Sequence, residues 1–312
     1  MTDAANQLAI IVLNYQEYEI SQKCVSGLLS IGVKNPIVIV DNASLNASYE
    51  KLKDRFSGNG QVTVVRSERN GGYSYGNNYG IHTAEQTNQL KYICIMNPDV
   101  TLEQNFLEDL CRSLSLHSEY AAISALMFQG RRFETDKISW PVPDDRSLYK
   151  SHSLFNRACH QTCGYDVLEG GLIRTETVPG SFFVIKYDVF KAAGFFDENV
   201  FLYNEENILG LKLKKMGYTC VIDTSHYYLH NHAETSREKV IYRYKHEFDK
   251  ILRDYEYRYL SRKYLCEAYY AHKNIGKLWL VHVSNLLALY IKRYYILFRY
   301  RKSSDKKRIR RL

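Results

Sequence analysis

Three unbroken apolar runs, Leu8-Ala-Ile-Ile-Val-Leu13, Ile37-Val-Ile-Val40 after Pro36, and Tyr92-Ile-Cys-Ile-Met96, with a fourth at Val62 to Val65 broken by Thr63, constrain this chain more than any other feature. They are too short to cross a membrane and lack the alternation of a half-exposed strand, so they read as parallel strands covered on both faces. Between them lie stretches with helical spacing, at 17–30, near 47–56 and at about 74–88. Strand and helix therefore alternate, which predicts an α/β, doubly wound, Rossmann-like sheet with right-handed connections. The run at 92–96 stops at Asn97-Pro98-Asp99, putting a carboxylate at the carboxyl end of a strand, where open α/β sheets bind ligands. In isolation Asn-Pro-Asp is most often only a turn; what surrounds it along the chain changes that.

A chain of 312 residues with 45% hydrophobic and 24% charged residues is an ordered globular protein, long enough for one large domain and an appendage. Met1 to Gln7 is polar and Leu8 to Leu13 is too short for an export signal, so a cytoplasmic body is expected. The seven cysteines are scattered and several sit in apolar runs, which fits reduced, buried thiols. Cys159-His160-x-x-Cys163 lacks the second ligand pair of a structural zinc site.

The net charge of +8 is concentrated at one end, since residues 292–312 hold ten Lys or Arg against Asp305 alone. Just before it, Trp279, Tyr290, Tyr294 and Tyr295 mingle with leucines and basic residues, a composition suited to a helix lying at a membrane interface. A soluble helical appendage is the alternative; nucleic-acid binding is disfavoured. From about residue 235 the composition turns to Tyr, Lys, Arg and Glu, which places a domain boundary between 1–234 and 235–312. Residues 147–178 resist assignment.

Two further motifs lie at the same sheet edge. Asp41, in Val40-Asp-Asn-Ala-Ser44, ends the second strand and suits either a nucleoside contact or an Asx turn. Arg69-Asn70-Gly71-Gly72, continuing to Asn77 and Gly80, joins a strand to a helix, where glycines admit close backbone approach and a helix start favours an anion. The spacing matches neither a dinucleotide fingerprint nor a Walker loop, which argues against a dehydrogenase or a P-loop enzyme.

Taken in order, Val-Asp-Asn-Ala-Ser, Arg-Asn-Gly-Gly-x-x-x-Gly-Asn-Asn-x-Gly and Met-Asn-Pro-Asp-Val resemble the family 2 glycosyltransferases, GT-A fold enzymes that use nucleotide-diphosphate sugars. The resemblance continues through Val178-Pro-Gly-Ser-Phe-Phe-Val-Ile-Lys, Gly194-Phe-Phe-Asp-Glu198 and Phe201-Leu-Tyr-Asn-Glu-Glu-Asn-Ile-Leu-Gly210, covering roughly residues 8–236. It is closest to rhamnosyltransferase-like enzymes of bacterial capsule, O-antigen and cell-wall synthesis.

The resemblance implies a donor half over about 1–100 and an acceptor half over about 101–234. Donor contacts would come from Asp41, Asn70, Gly71, Gly72, Asn77, Asn97 and Gly180. Asn97-x-Asp99 occupies the family's D-x-D position, with Asp99 and a neutral Asn97 holding Mg²⁺ or Mn²⁺ against the diphosphate; the lost charge at Asn97 implies weaker metal binding, and a metal-independent variant stays open. His230, or His232 after it, would join the metal shell. Glu206, with Glu205 as the alternative, matches the family base that takes the acceptor proton, while Ile208 replaces a following family Asp. Asp197 and Glu198 would bind the acceptor sugar.

The expected activity is inverting transfer from dTDP-rhamnose, or second a UDP-hexose, to a lipid-linked glycan at the inner face of the bacterial cell membrane; oligomerisation is left open. Two rivals remain: a noncatalytic membrane- or nucleic-acid-binding protein resting on the basic tail, and a sugar nucleotidyltransferase, which needs a lysine-bearing triphosphate loop not found near Leu13 to Glu17.

Overall fold

The computed structural model describes residues 7–129, 132–133, 141–154, 166–231, 237–270 and 274–309. The chain divides into two compact units, one of Met1–Val142 with Gln161–His232, the other of Pro143–His160 with Ala233–Leu312.

The first unit is a mixed, ten-stranded sheet among the described residues. Four parallel strands begin it: β1 (Leu8–Asn14), β2 (Ile37–Asp41), β3 (Val62–Arg66) and β4 (Tyr92–Met96), joined through the helices α1 (Tyr18–Ser30), α2 (Ser48–Arg55) and α3 (Gly72–Glu85). They lie in the order β3-β2-β1-β4. The sheet continues through β9 (Phe182–Lys186), antiparallel to β4, then β6 (Tyr120–Gln129), β10 (Thr219–His230) and the two-residue β5 (Val100–Thr101). Short strands β7 (Arg132–Phe133) and β8 (Leu172–Thr175) pair with β6 and β10.

Period-two alternation along the apolar runs sends side chains to both faces of the sheet. Leu8, Ile10, Val12, Ile37 and Ile39 join one core layer with Val25 and Leu28 of α1, Leu52 of α2 and Leu110 of α4 (Leu107–Leu116). Ala9, Ile11, Val38 and Val40 join the other with Ile81 of α3, Phe190 of α6 (Tyr187–Ala192) and Leu209 and Leu213 of α7 (Glu205–Lys215). Burial on both sides is why these strands carry no polar face. Cys24, Cys94, Cys111 and Cys220 are free thiols inside this unit, and Cys266 in the other, all buried; Cys159, His160 and Cys163 lie outside the described residues.

The second unit is helical: α8 (Arg237–His246), α9 (Phe248–Ala268) and α10 (Ile275–Ile309). They close on Tyr244, Phe248, Ile251, Leu289 and Ile296. It also takes in α5 (Asp145–His152), from the middle of the chain, which a linear division at residue 234 would leave with the first unit. Asp144 caps α5 by accepting the Ser147 amide, and Asn285 of α10 ties its far end, donating to the His152 carbonyl at 2.7 Å and accepting from the Leu154 amide. No helix among the described residues is long and apolar enough to cross a membrane.

Candidate active site

The site is assembled around the dipeptide Gly180-Ser181, at the start of β9. On one side the chain leaving β4 turns back, the Asn97 amide donating to the Ser181 carbonyl at 2.8 Å and the Val100 amide to the Asn97 carbonyl at 3.1 Å. That turn lets β5 pair with the end of β10, Val100 opposite His230, and the Asn231 amide donates to the Asp99 carbonyl at 2.9 Å. Two residues distant in sequence thereby meet, with His230 Nε2 3.3 Å from Asp99 Oδ1 and both side chains mostly covered. Cys24 lies beneath the turn, its Sγ 3.9 Å from the Asn97 carbonyl. Burial, and then the charge of Asp99, push its thiol up to about 12, so it remains protonated and unreactive.

On the other side of Gly180 stand the acids that open α7. They follow two residues in left-handed backbone, Tyr203 at φ 74° and Asn204 at φ 67°, a strained corner that aims the first turn of the helix. A Cβ built on Gly180 would lie 3.9 Å from Glu206 Oε2 and 3.7 Å from Tyr73 Oη. Tyr73 Oη donates to the Gly180 carbonyl at 2.5 Å, and the Thr177 hydroxyl to the Glu206 carbonyl at 2.9 Å. The two Cβ distances are ordinary van der Waals contacts, so position 180 lies between the Tyr73 hydroxyl and the Glu206 carboxylate.

Glu205 turns inward. It is 6% exposed, its Oε1 has no hydrogen-bond partner among the described residues, and burial together with the neighbouring Glu206 raises its pKa from 4.5 to about 8. Glu205 therefore holds its proton at neutral pH, beside the half-buried Glu206. Burial, and then the same two acids, push the Tyr73 phenol well above its ordinary range, so it stays a donor.

Other expected donor contacts have internal partners. Asp41 is fully buried, with Oδ2 accepting from Asn14 Nδ2 at 2.8 Å and Oδ1 from the Ser44 amide at 2.9 Å; this is the Asx turn, and it braces the ends of β1 and β2. Asn70 Oδ1 accepts from the Gly72 amide and from Asn42 Nδ2. Asn77 Nδ2 donates to the Tyr73 carbonyl within α3, while its buried Oδ1 has no hydrogen-bond partner among the described residues. Gly71 faces the Tyr75 ring, which a Cβ would meet at 2.4 Å. Gly72, at φ +86°, does permit a close backbone approach, but from Phe201: a Cβ would fall 1.9 Å from the Phe201 carbonyl oxygen, which accepts the Tyr73 amide at 3.0 Å. The glycine-rich stretch therefore holds the chain that precedes α7. Glu198 Oε1 accepts from Asn78 Nδ2, and Asp197 Oδ1 from the Asn199 amide, so both acids contribute to the same loop.

His226 is held between Asp223 and Asp109, and His232 lies outside the described residues. Tyr73 was not picked out by sequence: nothing within Gly-Gly-Tyr-Ser reveals that its hydroxyl reaches a residue 107 positions away.

The motif order in the sequence and this geometry agree with a family comparison, in which the model described as "Glycosyl transferase family 2" matches residues 9–174. The chain belongs to glycosyltransferase family 2. One curated relative of this family 2 protein is the "Low-salt glycan biosynthesis hexosyltransferase Agl10" of Haloferax volcanii, 24% identical over 203 residues. The match takes in 64% of this chain and 59% of Agl10, so the chain spans about six-tenths of that relative. Among solved structures it is similar to the crystal structure of GalNAc-T7 with UDP, GalNAc and Mn²⁺, with a TM-score of 0.55, 14% identity, and coverage of 85% of this chain and 58% of that one. At that identity the likeness speaks to fold, and the fold is of the GT-A type: a mixed α/β sheet with a helical C-terminal region.

Proposed function

We propose that this chain is an inverting glycosyltransferase that moves a sugar from a nucleotide-diphosphate donor onto an acceptor hydroxyl. The observation that carries the reading is the convergence on Gly180-Ser181 of a rim holding Asp99 beside His230 and of the Glu206 carboxylate. In the reaction the acceptor oxygen bonds to the anomeric carbon as the bond from that carbon to the diphosphate breaks, and the diphosphate departs with the electron pair. Glu206 accepts the acceptor's proton. Asp41 and Asn14 keep the rim of β1 and β2 ordered where the nucleoside would rest.

A carboxylate and an imidazole 3.3 Å apart suit a divalent cation, and Asn97, two residues before Asp99, would be a further ligand. No group of three or more His, Cys, Asp or Glu that could hold a metal exists among the described residues, so diphosphate and water oxygens would complete the shell, as Mg²⁺ and Mn²⁺ commonly permit. When bound, the cation supplies neutralisation of the charge that gathers on the leaving group.

The donor is dTDP-rhamnose or a UDP-hexose, with the hexosyl activity named for Agl10 favouring the second. The acceptor is a lipid-linked glycan at the cytoplasmic face of a membrane, in the assembly of a surface polysaccharide. A panel of nucleotide sugars tested by thermal shift with and without Mn²⁺ identifies the donor, since a ligand bound only by the folded state raises the melting temperature. Glu206→Gln should keep that shift and lose transfer by about 10²–10⁴-fold. Transfer unchanged in this variant would falsify the assignment of the base.

A further inference from the structure

We infer that the outer face of α10, with the basic groove beside it, is a docking surface for an anionic lipid bilayer. The helix has a buried face and an exposed apolar face. Leu278, His282, Asn285, Leu289 and Ile296 are buried against the other helices of the second unit. Leu280, Leu287, Ile291, Tyr294 and Phe298 are exposed, Ile291 by 69% and Tyr294 by 72%. With 3.6 residues per turn the second set recurs at three-, four- and seven-residue steps and centres about half a turn from the first. Trp279, Tyr290 and Leu297 widen the exposed face along one side and Tyr295 along the other.

A surface apolar over this length needs a cover, and the charge beside it selects one. Lys277 and Arg299 flank the face, Lys292 and Arg293 lie toward the buried side over the rings of Tyr244 and Phe248, and no Asp or Glu occurs from Ile275 until Asp305. A second copy laid along the helix, parallel or antiparallel, would set like charges against each other, whereas anionic headgroups complement them. Aromatic rings flanked by Lys and Arg are the arrangement of helices that lie in the interfacial plane. Beside the helix is a groove of about 660 Å³ between α8 and α10, where Arg237, Lys245 and Arg299 stand with Tyr242 and Tyr300 against the one acid Glu238. It offers several N–H donors to a phosphodiester headgroup. Since no described helix can cross a membrane, the attachment is to the surface.

The inference deepens the proposed transfer by naming how the enzyme reaches a lipid-linked acceptor, and rests on that reading for its purpose but not for its geometry. The test is sedimentation of the full chain with phosphatidylcholine vesicles, plain or containing phosphatidylglycerol. Partitioning into the anionic vesicles should be roughly tenfold or more the stronger, and should weaken as salt is raised. Ile291→Glu combined with Tyr294→Glu should abolish it without altering the melting temperature, both side chains being exposed. Arg237→Gln with Lys245→Gln should remove only the preference for anionic lipid.

Equal partitioning into both vesicles, or unchanged binding by the Ile291/Tyr294 double variant, overturns the proposal. So does a dimer in vesicle-free solution that the same variant dissolves, which would give the face to a second copy. Nucleotide-sugar thermal shifts without vesicles separate the two readings: vesicle binding with no donor shift sinks the transfer reaction alone, and donor shifts with no vesicle binding sink the docking surface alone.

Discussion

At the scale of single residues the proposed chemistry rests on two adjacent acids, one buried and one half-buried. Glu205, with its pKa raised to about 8, keeps in the folded state a proton that the unfolded chain loses near 4.5. Its contribution to stability is therefore complete below about pH 4.5 and is lost as pH rises through about 8. Glu205→Gln, neutral at every pH, should flatten the fall in melting temperature between pH 5 and 9 by comparison with the parent chain, which parallel thermal scans would reveal. Activity should fall over the same range if ionised Glu205 disturbs Glu206. Asp99→Asn is the matching change at the rim: it removes the carboxylate beside His230, and any Mn²⁺-dependent thermal shift given by the donor should disappear while the fold persists. A retained Mn²⁺ effect in that variant would remove Asp99 from the metal assignment.

Among secondary-structure elements, the joint between α3 and the loop before α7 decides whether the acids are aimed correctly. Gly72→Ala would drive a methyl into the Phe201 carbonyl oxygen at a left-handed φ, and should cost about 3 kcal/mol or more by denaturant titration, adding backbone strain to overlap. Gly217 has a similar φ of +83° but open space around it, so Gly217→Ala should cost only about 1–2 kcal/mol. Equal losses at the two sites would mean that contact with Phe201 is unimportant. This joint also marks how far the sequence could be read. The parallel strands and the helices between them were legible because two-sided burial writes continuous apolar runs. The glycine-rich stretch announced a close approach but not its partner, since Gly72 meets a carbonyl 129 residues away that local pattern cannot reveal. The Asx turn at Asp41 could be expected from sequence, but the hydrogen bond it accepts from Asn14, 27 residues earlier, could not. Residues 147–152 were opaque for a related reason, because α5 packs against α9 and α10, which begin at residues 248 and 275.

For the molecule as a whole, the two units should answer pH in opposite senses. In the helical unit His152 is buried beside His282, and burial, then Arg262, lower its pKa to about 3. An unfolded chain takes up a proton below about 6.5 that the folded one refuses, so this stabilisation is present above 6.5 and is lost as pH falls toward 3. His152→Gln should reduce the acid-side decline in melting temperature and leave the alkaline side to Glu205. An unaltered acid branch would show that His152 is not its source. The place of α5 has a practical consequence for anyone trimming this protein. Leu148 is covered within the helical unit, so a polypeptide ended after residue 231 would retain that leucine with its cover gone, and should run as aggregate on a sizing column. Replacing 143–160 with a short polar linker in the same truncation should restore a monodisperse peak. A well-behaved fragment of this chain should therefore need an internal excision as well as a shortened end.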